Sequence, residues 1–233
     1  MERQRIASGV YQLGLRGVNA FLVEADAGVV LIDTGVQRGA ARIARALHDM
    51  ARPPRDVRAI AITHCHRDHV GGLAELKRLT GAEVWMHPVD AALLREGIVG
   101  RPLQPGGGFL SRVIAPAWNR QPALRGEAVS VEHEVRDGDL LPFAGLRVFH
   151  TPGHTAGHLA LLLPRDGGVL FVGDAASHMV RLGAGPIFED AAAGRCSLAK
   201  LAALDFEIAC FSHGRPIRAR AAERFRARWA AAG

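Results

Sequence analysis

Short apolar or alternating segments, separated by glycine and proline, recur along the whole chain. The pattern predicts strands where the segments are β-branched and alternating, and helices where apolar residues recur at a spacing of three to four. Strands are predicted at 10–15, 20–25, 29–33, 58–63, 83–87, 129–135, 146–150, 158–163, 169–173 and 206–211. Helices are predicted at 40–50, 72–79, 89–96 and 198–204, and an amphipathic helix within 215–228. This alternation is typical of an α/β protein.

The segment 97–126 differs from the rest of the chain. Four prolines and the triplet Gly106-Gly107-Gly108 argue against a long regular element there. Apolar side chains such as Phe109 and Trp118 lie among them. We therefore expect an insertion that covers a pocket as a lid, the alternative being a plain surface insertion. No stretch has linker composition, so residues 1–233 are predicted to form one domain.

Composition excludes several classes of protein. Of the 233 residues, 48% are hydrophobic and 22% are charged, which is typical of a folded globular chain rather than a disordered one. No apolar run approaches the roughly 20 residues of a membrane span, and the first residues lack a signal core, so a cytoplasmic location is expected. Cys65, Cys196 and Cys210 have no framework spacing and are expected to be reduced thiols.

The net charge of +6 invites a nucleic-acid interpretation. All but two of the 29 basic residues are arginines, which is a compositional bias spread along the chain. The densest stretch, 215–228, spaces its arginines as on the solvated face of a helix. We therefore expect no nucleic-acid or membrane partner, and a small-molecule substrate instead.

Candidate chemistry is concentrated in the segment Thr63-His64-Cys65-His66-Arg67-Asp68-His69. It follows a predicted apolar strand directly, so the strand delivers the loop to a fixed place. Imidazole and carboxylate groups in this density suit zinc, and also iron or manganese. Cys65 is expected to point away from its neighbours and to be structural.

Three further residues stand at the ends of predicted strands. They are His154 in Thr-Pro-Gly-His, Asp174 after Phe-Val-Gly, and His213 in Phe-Ser-His-Gly. With the first loop they supply five histidines and two aspartates. That number suffices for two metal ions and a bridging water, and binding of a single ion stays open.

The series His64-x-His66-x-Asp68-His69, His154, Asp174 and His213 resembles the metallo-β-lactamase-fold hydrolase superfamily, in its glyoxalase II-like and lactonase-like branch. The segment Leu31-Ile32-Asp33-Thr34-Gly35 is similar to that family's early strand-end motif. The resemblance implies a four-layer αβ/βα sandwich, in which two mixed β-sheets are flanked by helices.

The resemblance also implies roles for these residues. His64, His66 and His154 would hold a first divalent ion, most often zinc, with Asp68, His69 and His213 holding a second and Asp174 bridging the two. Asp33 and His158 would hold ligands in position. Asp68 would also act in catalysis by orienting the nucleophile, a hydroxide shared by the ions. Phe109, Trp118 and His178 are candidates for substrate contact.

The function implied is hydrolysis of an ester, thioester or lactone of a small molecule. A mononuclear-iron persulfide dioxygenase is the alternative on the same scaffold. A β-lactamase is disfavoured because true enzymes of that kind generally lack the bridging aspartate, and a nuclease or phosphodiesterase because 97–126 is weakly charged. The oligomeric state is not predicted.

Overall fold

Runs of strands and helices follow one another along the chain. A computed structural model describes residues 3–106, 109–120 and 125–230. Its strands are β1 Arg3–Ala7, β2 Val10–Gly14, β3 Asn19–Ala25, β4 Gly28–Ile32, β5 Val57–Ala61, β6 Glu83–Met86, β7 Gln104–Pro105, β8 His133–Glu134, β9 Leu140–Leu141, β10 Leu146–His150, β11 Leu159–Leu163, β12 Val169–Phe171, β13 Ala176–Ser177, β14 Gly183–Ala184, β15 Ile187–Phe188 and β16 Ile208–Cys210. The helices are α1 Gly39–Asp49, α2 Arg67–Val70, α3 Leu73–Thr80, α4 Pro88–Arg95, α5 Phe109–Asn119, α6 Ala191–Ala202 and α7 Ala221–Trp229, with a 3-10 turn at Pro54–Asp56.

Two mixed sheets form the centre of the fold. The first has seven strands in the order β1-β2-β3-β4-β5-β6-β8, and the second has five in the order β16-β12-β11-β10-β9. In the first sheet β4, β5, β6 and β8 are parallel, and in the second β12 and β16 are parallel. Because parallel strands end at the same edge, the residues that follow β4 and β5 meet there, as do those that follow β12 and β16.

Alternating side chains on these strands produce four layers. Val30 and Ile32 of β4 pack between the sheets, where Phe21 and Phe171 meet with ring centroids 5.2 Å apart. Val29 and Leu31 of the same strand point the other way, onto a core shared with α1, α3 and α4. The outer face of the second sheet packs on α6 and α7 in the same manner. The chain is therefore an αβ/βα sandwich, as the resemblance implies.

The insertion corrects one expectation. Prolines and glycines in 97–126 were expected to prevent a long regular element, yet α5 runs for 11 residues through Pro116. A proline inside a helix removes one backbone donor, and its ring crowds the carbonyl four residues earlier. Apolar packing of Ala115 with Leu103 and Ile187 stabilises the helix nonetheless. The side chain of Asn119 anchors the C-terminal end of α5 to the backbone of Leu103. Its Nδ2 donates to the Leu103 carbonyl and its Oδ1 accepts from the Leu103 amide, each at 2.9 Å.

Two other boundaries differ from the sequence pattern. Of the predicted strand 129–135, only His133–Glu134 pairs with β6, because Val129 and Val131 instead pack into the core beside α4. In the arginine-rich segment the helix begins only at Ala221, since Arg220 has a left-handed backbone with φ 53°. Among the described residues, no helix is long and apolar enough to cross a membrane.

Candidate metal centre

Four strand ends from two sheets converge at one edge of the sandwich. The loop after β5 carries His64, His66 and α2, and the loop after β10 carries His154. Asp174 and His213 follow the parallel strands β12 and β16. The Leu159 amide donates to the Thr63 carbonyl at 2.8 Å, which ties the two sheets together at this edge. Residues far apart in the sequence thus lie together at one corner of the sandwich. This corner is formed by His64, His66, Asp68, His69, His154, Asp174 and His213.

Three imidazoles form the first group at this corner. His66 Nδ1 lies 3.1 Å from His64 Nε2 and 3.0 Å from His154 Nε2. All three side chains are buried. Burial, reinforced by the neighbouring imidazoles, lowers the pKa of His64 and of His66 well below the ordinary value, so both rings are neutral. Neutral nitrogens facing one another at this distance are the donor set of a metal ion.

A second group is formed by Asp68, His69 and His213. Asp68 Oδ2 lies 3.6 Å from His69 Nε2 and 3.4 Å from His213 Nε2. Burial acts to lower the pKa of His69, but the carboxylates around it, led by Asp68, raise it to about 9. The Asp174 carboxylate raises the pKa of His213 to about 11. This group therefore combines opposite charges, whereas the first consists of imidazoles alone.

Asp174 lies between the two groups. Its Oδ2 is 3.4 Å from His154 Nε2 and 3.3 Å from His213 Nε2, and its Oδ1 is 3.7 Å from His69 Nε2. Burial opposes ionisation, but the imidazoles, led by His213, hold its pKa well below the usual range. An ionised carboxylate therefore faces both groups at once.

Hydrogen bonds to the outward-facing Nδ1 atoms of His154 and His213 determine that Nδ1 is protonated in both rings. Nδ1 of His154 lies 2.8 Å from the Ile187 carbonyl, and Nδ1 of His213 lies 2.8 Å from the Gly17 carbonyl. A carbonyl only accepts, so each Nδ1 must donate. In a neutral ring the inward Nε2 then carries a lone pair. The inward Nε2 of each ring is therefore the nitrogen that would bind a metal ion, and on His213 the ion would replace the proton that the Asp174 carboxylate stabilises there.

Asp33 orders the first loop through its buried carboxylate. Oδ1 accepts from the Thr63 amide, and Oδ2 accepts from the Thr63 hydroxyl and from His69 Nδ1, each at 2.8 Å. The Thr63 hydroxyl, having donated to Asp33, accepts from His64 Nδ1 at 3.0 Å. Asp33 itself has a left-handed backbone with φ 58°, a conformation in which aspartate is enriched. One carboxylate thereby orients two imidazoles.

His158 is engaged on both ring nitrogens. Its Nε2 accepts from the Asp174 amide at 2.9 Å, and its Nδ1 donates to the Thr151 hydroxyl at 2.8 Å. Burial lowers its pKa to about 3, so the ring is neutral. Its contact with the site is through the backbone of Asp174.

Of the remaining predicted residues, the side chains of His178 and Cys65 are described by the structure. His178 is buried against Phe211, and its Nδ1 lies 2.9 Å from the Arg215 carbonyl. Phe109 and Trp118 belong to α5, and their side chains lie outside the described part of the structure. Contact of these three with a substrate stays a prediction. Cys65 is buried and its Sγ lies 2.9 Å from the Ile98 carbonyl, while burial raises the pKa of the thiol, so it is protonated.

Two residues of the site have no signal in the motif pattern. Asp90 of α4 and Asn19 of β3 are buried, and both make hydrogen bonds to the loops that carry the ligand candidates. A buried polar residue cannot be told from an exposed one in a single sequence, although an aspartate in the first turn of a predicted helix is noticeable.

The donors fit a divalent metal ion. His69 Nε2 and Asp174 Oδ1 are buried and form no hydrogen bond with any described residue, although they lie 3.7 Å apart. Buried polar atoms are normally satisfied, so a pair left facing the same space indicates a partner of another kind. The structure contains three sets of donor residues, and within each set the candidate ligand atoms lie within 4.8 Å of one another. The sets are His64, His66 and His154; His64, His69 and Asp174; and Asp68, His69 and His213.

Comparison with curated proteins finds hydrolases and uncharacterized proteins. The chain is 34% identical over 157 residues to a hydroxyacylglutathione hydrolase of Pseudomonas aeruginosa, a match that covers 66% of this chain and 46% of the relative. It is 29% identical over 168 residues to the uncharacterized protein ML0493 of Mycobacterium leprae, covering 70% of each. The matched region is about half the length of the first of these relatives.

Comparison with solved structures finds the same sandwich. The MIM-2 metallo-beta-lactamase superposes with a TM-score of 0.68 at 28% identity, covering 93% of this chain and 77% of that one. A HARLDQ-motif mutant of the metallo-beta-lactamase from Cronobacter sakazakii superposes with a TM-score of 0.71 at 25% identity, covering 91% and 80%. The family model of the metallo-beta-lactamase superfamily matches residues 13–213, nearly the whole chain. With its fold, its strand-end donors and this match, the chain belongs to the metallo-beta-lactamase superfamily.

Proposed function

We propose that the protein is a metal-dependent hydrolase that cleaves an ester, thioester or lactone of a small molecule. The observation that carries the proposal is the convergence of imidazole nitrogens and carboxylate oxygens on one site, where the carboxylate of Asp174 faces both ligand groups. The resemblance to a hydroxyacylglutathione hydrolase favours a thioester within this class.

Two ions, most often zinc, are proposed with distinct ligand groups. His64, His66 and His154 would hold the first. Asp68, His69 and His213 would hold the second, with Asp174 shared. The first group consists of imidazoles, whereas the second adds the carboxylate of Asp68, so the second would bind its ion more through charge.

The protein residues have separate tasks in the reaction. A bound divalent ion lowers the pKa of water and polarises a carbonyl oxygen. Asp68 is held ionised by His69 and His213, which outweigh burial and lower its pKa, so its carboxylate can accept a hydrogen bond from the attacking water and orient it. Asp68 and His213 are partly exposed, whereas His64 and His69 are buried. Substrate would therefore approach from the side of Asp68 and His213.

The insertion 97–126 is proposed to cover this entrance within a single domain. Its helix α5 contacts β15, and β15 provides the Ile187 carbonyl to which His154 donates. Arg101 and Glu189 form a paired contact at 2.7 and 2.8 Å beside the same loop. The apolar composition of the insertion favours a partly apolar substrate.

Metal content and hydrolysis test the proposal together. Elemental analysis of protein purified without added metal is expected to give about two equivalents of divalent metal per chain. A panel of thioesters and lactones is expected to be hydrolysed by the wild type and by His48→Ala, whose imidazole is exposed, but not by His66→Ala or Asp174→Ala. Full activity in either site variant would refute the assignment. One equivalent of iron, with oxygen consumed in the presence of glutathione persulfide, would favour the dioxygenase instead.

A further inference from the structure

Asp90 connects the two loops that carry the three-histidine group. Its carboxylate is fully buried in the first turn of α4. Oδ2 accepts from the Cys65 amide at 2.9 Å and from the Thr155 hydroxyl at 2.7 Å, and Oδ1 accepts from the Gly157 amide at 3.0 Å. Cys65 lies between His64 and His66, and Thr155 follows His154. One side chain thus fixes the distance between loops about 90 residues apart.

The surroundings of Asp90 leave it little freedom. A Cβ on Gly157 would lie 2.5 Å from Oδ1, so the loop approaches the carboxylate as closely as a glycine allows. Arg101 Nη2 is 3.9 Å from Oδ1, so a cation also faces this carboxylate. Burying a carboxylate is unfavourable unless such partners compensate it. Its hydrogen bonds nevertheless go to the ligand loops.

Asn19 forms similar hydrogen bonds to the loop that carries His213. The amide nitrogen of its side chain donates to the carbonyls of Phe211 and Gly214, each at 2.9 Å. The backbone amide of Asn19 also donates to the Ser212 carbonyl at 2.8 Å. These three carbonyls flank His213 on both sides. Asn19 therefore fixes the loop that presents this imidazole to Asp68 and Asp174.

We propose that Asp90 and Asn19 are positioning residues, each for one of the two ligand groups. Asp90 acts on the group of His64, His66 and His154, and Asn19 acts on His213. Both carboxylate oxygens of Asp90 and the side-chain amide nitrogen of Asn19 are engaged by the loops, so these two residues are assigned to positioning rather than to contact with substrate or metal. The inference rests on the proposed metal centre and adds that its two halves are supported independently.

Near-isosteric variants separate positioning from packing. In Asp90→Asn the side chain keeps its volume, but an NH₂ group must face at least one of the amide or hydroxyl donors. Thr155→Val removes a single donor to Asp90, whereas Thr155→Ser retains the hydroxyl and is the matched control. Asn19→Asp removes the donor hydrogens and turns a carboxylate towards two carbonyls.

Zinc binding to the full-length, chelator-treated protein provides the readout. Zn²⁺ is titrated in competition with a chromophoric chelator, and His154→Ala and His213→Ala identify which binding step belongs to which group. Asp90→Asn is expected to weaken the step lost in His154→Ala by about 10- to 100-fold and to leave the other step unchanged. Asn19→Asp is expected to do the reverse. Thr155→Val should show a smaller loss than Asp90→Asn, and Thr155→Ser none.

Each other outcome has a definite meaning. Equal weakening of both steps in Asp90→Asn and Asn19→Asp would show a general structural role and overturn the inference, as would unchanged affinity in both. If the wild type binds one ion only, the two variants are compared on that step, and equal effects again overturn it. If Asp90→Asn does not fold, as judged by circular dichroism, the Thr155 pair decides the case. Absence of zinc binding in the wild type would instead refute the proposed function.

Discussion

Replacing Asp33 by asparagine removes a charge that orients two imidazoles. The carboxylate accepts three hydrogen bonds at 2.8 Å, from the amide and hydroxyl of Thr63 and from His69 Nδ1. Asparagine has one acceptor oxygen and one NH₂ group. With the oxygen at the position of Oδ2, the NH₂ group faces the Thr63 amide, a donor that cannot turn away. With the opposite orientation, it faces His69 Nδ1 and favours the proton on Nε2.

The magnitude follows from counting these contacts. One buried donor left unsatisfied costs about 1–3 kcal/mol, and the remaining hydrogen bonds lose their charge. The free energy of unfolding of Asp33→Asn is therefore expected to fall by about 2–4 kcal/mol. If His69 changes its protonated nitrogen, its inward lone pair is lost, and zinc affinity should fall by about 10- to 100-fold.

Urea unfolding of the chelator-treated protein and a zinc competition titration measure the two effects. Asp205→Asn is the control, because it removes a carboxylate that is 98% exposed and pairs with Arg226 at the surface. The reasoning would be refuted if Asp33→Asn matched Asp205→Asn in both unfolding free energy and zinc affinity. A loss of stability without a loss of affinity would limit Asp33 to a structural role.

Three further predictions concern pH, backbone and substrate. The folded pKa values of His69, about 9, and of His213, about 11, both exceed the unfolded value of 6.5. The unfolding free energy of the chelator-treated protein should therefore fall as the pH rises from 6.5 to 9, with His69 alone contributing on the order of 3 kcal/mol. Urea titrations showing a rise would contradict this. A Cβ at Gly153 would lie 2.4 Å from the backbone of Gly194, whereas a Cβ at Gly138, where φ is also positive, would meet open space. Gly153→Ala should therefore lower the free energy of unfolding by about 1–3 kcal/mol more than Gly138→Ala. Equal urea midpoints in the two variants would exclude the clash. Asn119→Ala detaches α5 from Leu103 and should raise KM for apolar substrates at unchanged zinc content, and an unaltered substrate profile would argue against a lid.

Much of the fold could be predicted from local pattern. Strand β10 has the predicted bounds, and α1 and α4 lie within a residue of theirs, because their apolar spacing reflects a single buried face. The pattern was weakest where packing overrides propensity. Helix α5 forms despite Pro116, and Val131 lies in the core without joining a strand.

The candidate ligands could also be read from the sequence, since each stands directly after an apolar strand. That interpretation, together with the resemblance, named the candidate ligands and two supporting residues, Asp33 and His158, but it missed Asp90 and Asn19. Asp90 contributes to the corner through hydrogen bonds to Cys65, Thr155 and Gly157, residues 25 to 67 positions away. The residues next to Asp90 in the sequence do not predict those hydrogen-bond partners.

The sequence by itself determined the layered α/β class and the set of imidazole and carboxylate donors, because periodicity and residue chemistry are local properties. Only the tertiary structure decided which ring nitrogens face inward, how far apart the donors lie, and that Asp90 and Asn19 support the loops that carry them. The parallel ends of β12 and β16 bring Asp174 and His213 to one edge, where Asp174 Oδ2 lies 3.3 Å from His213 Nε2. Such distances, and the pKa shifts that follow from them, depend on how two sheets pack, which no single segment encodes.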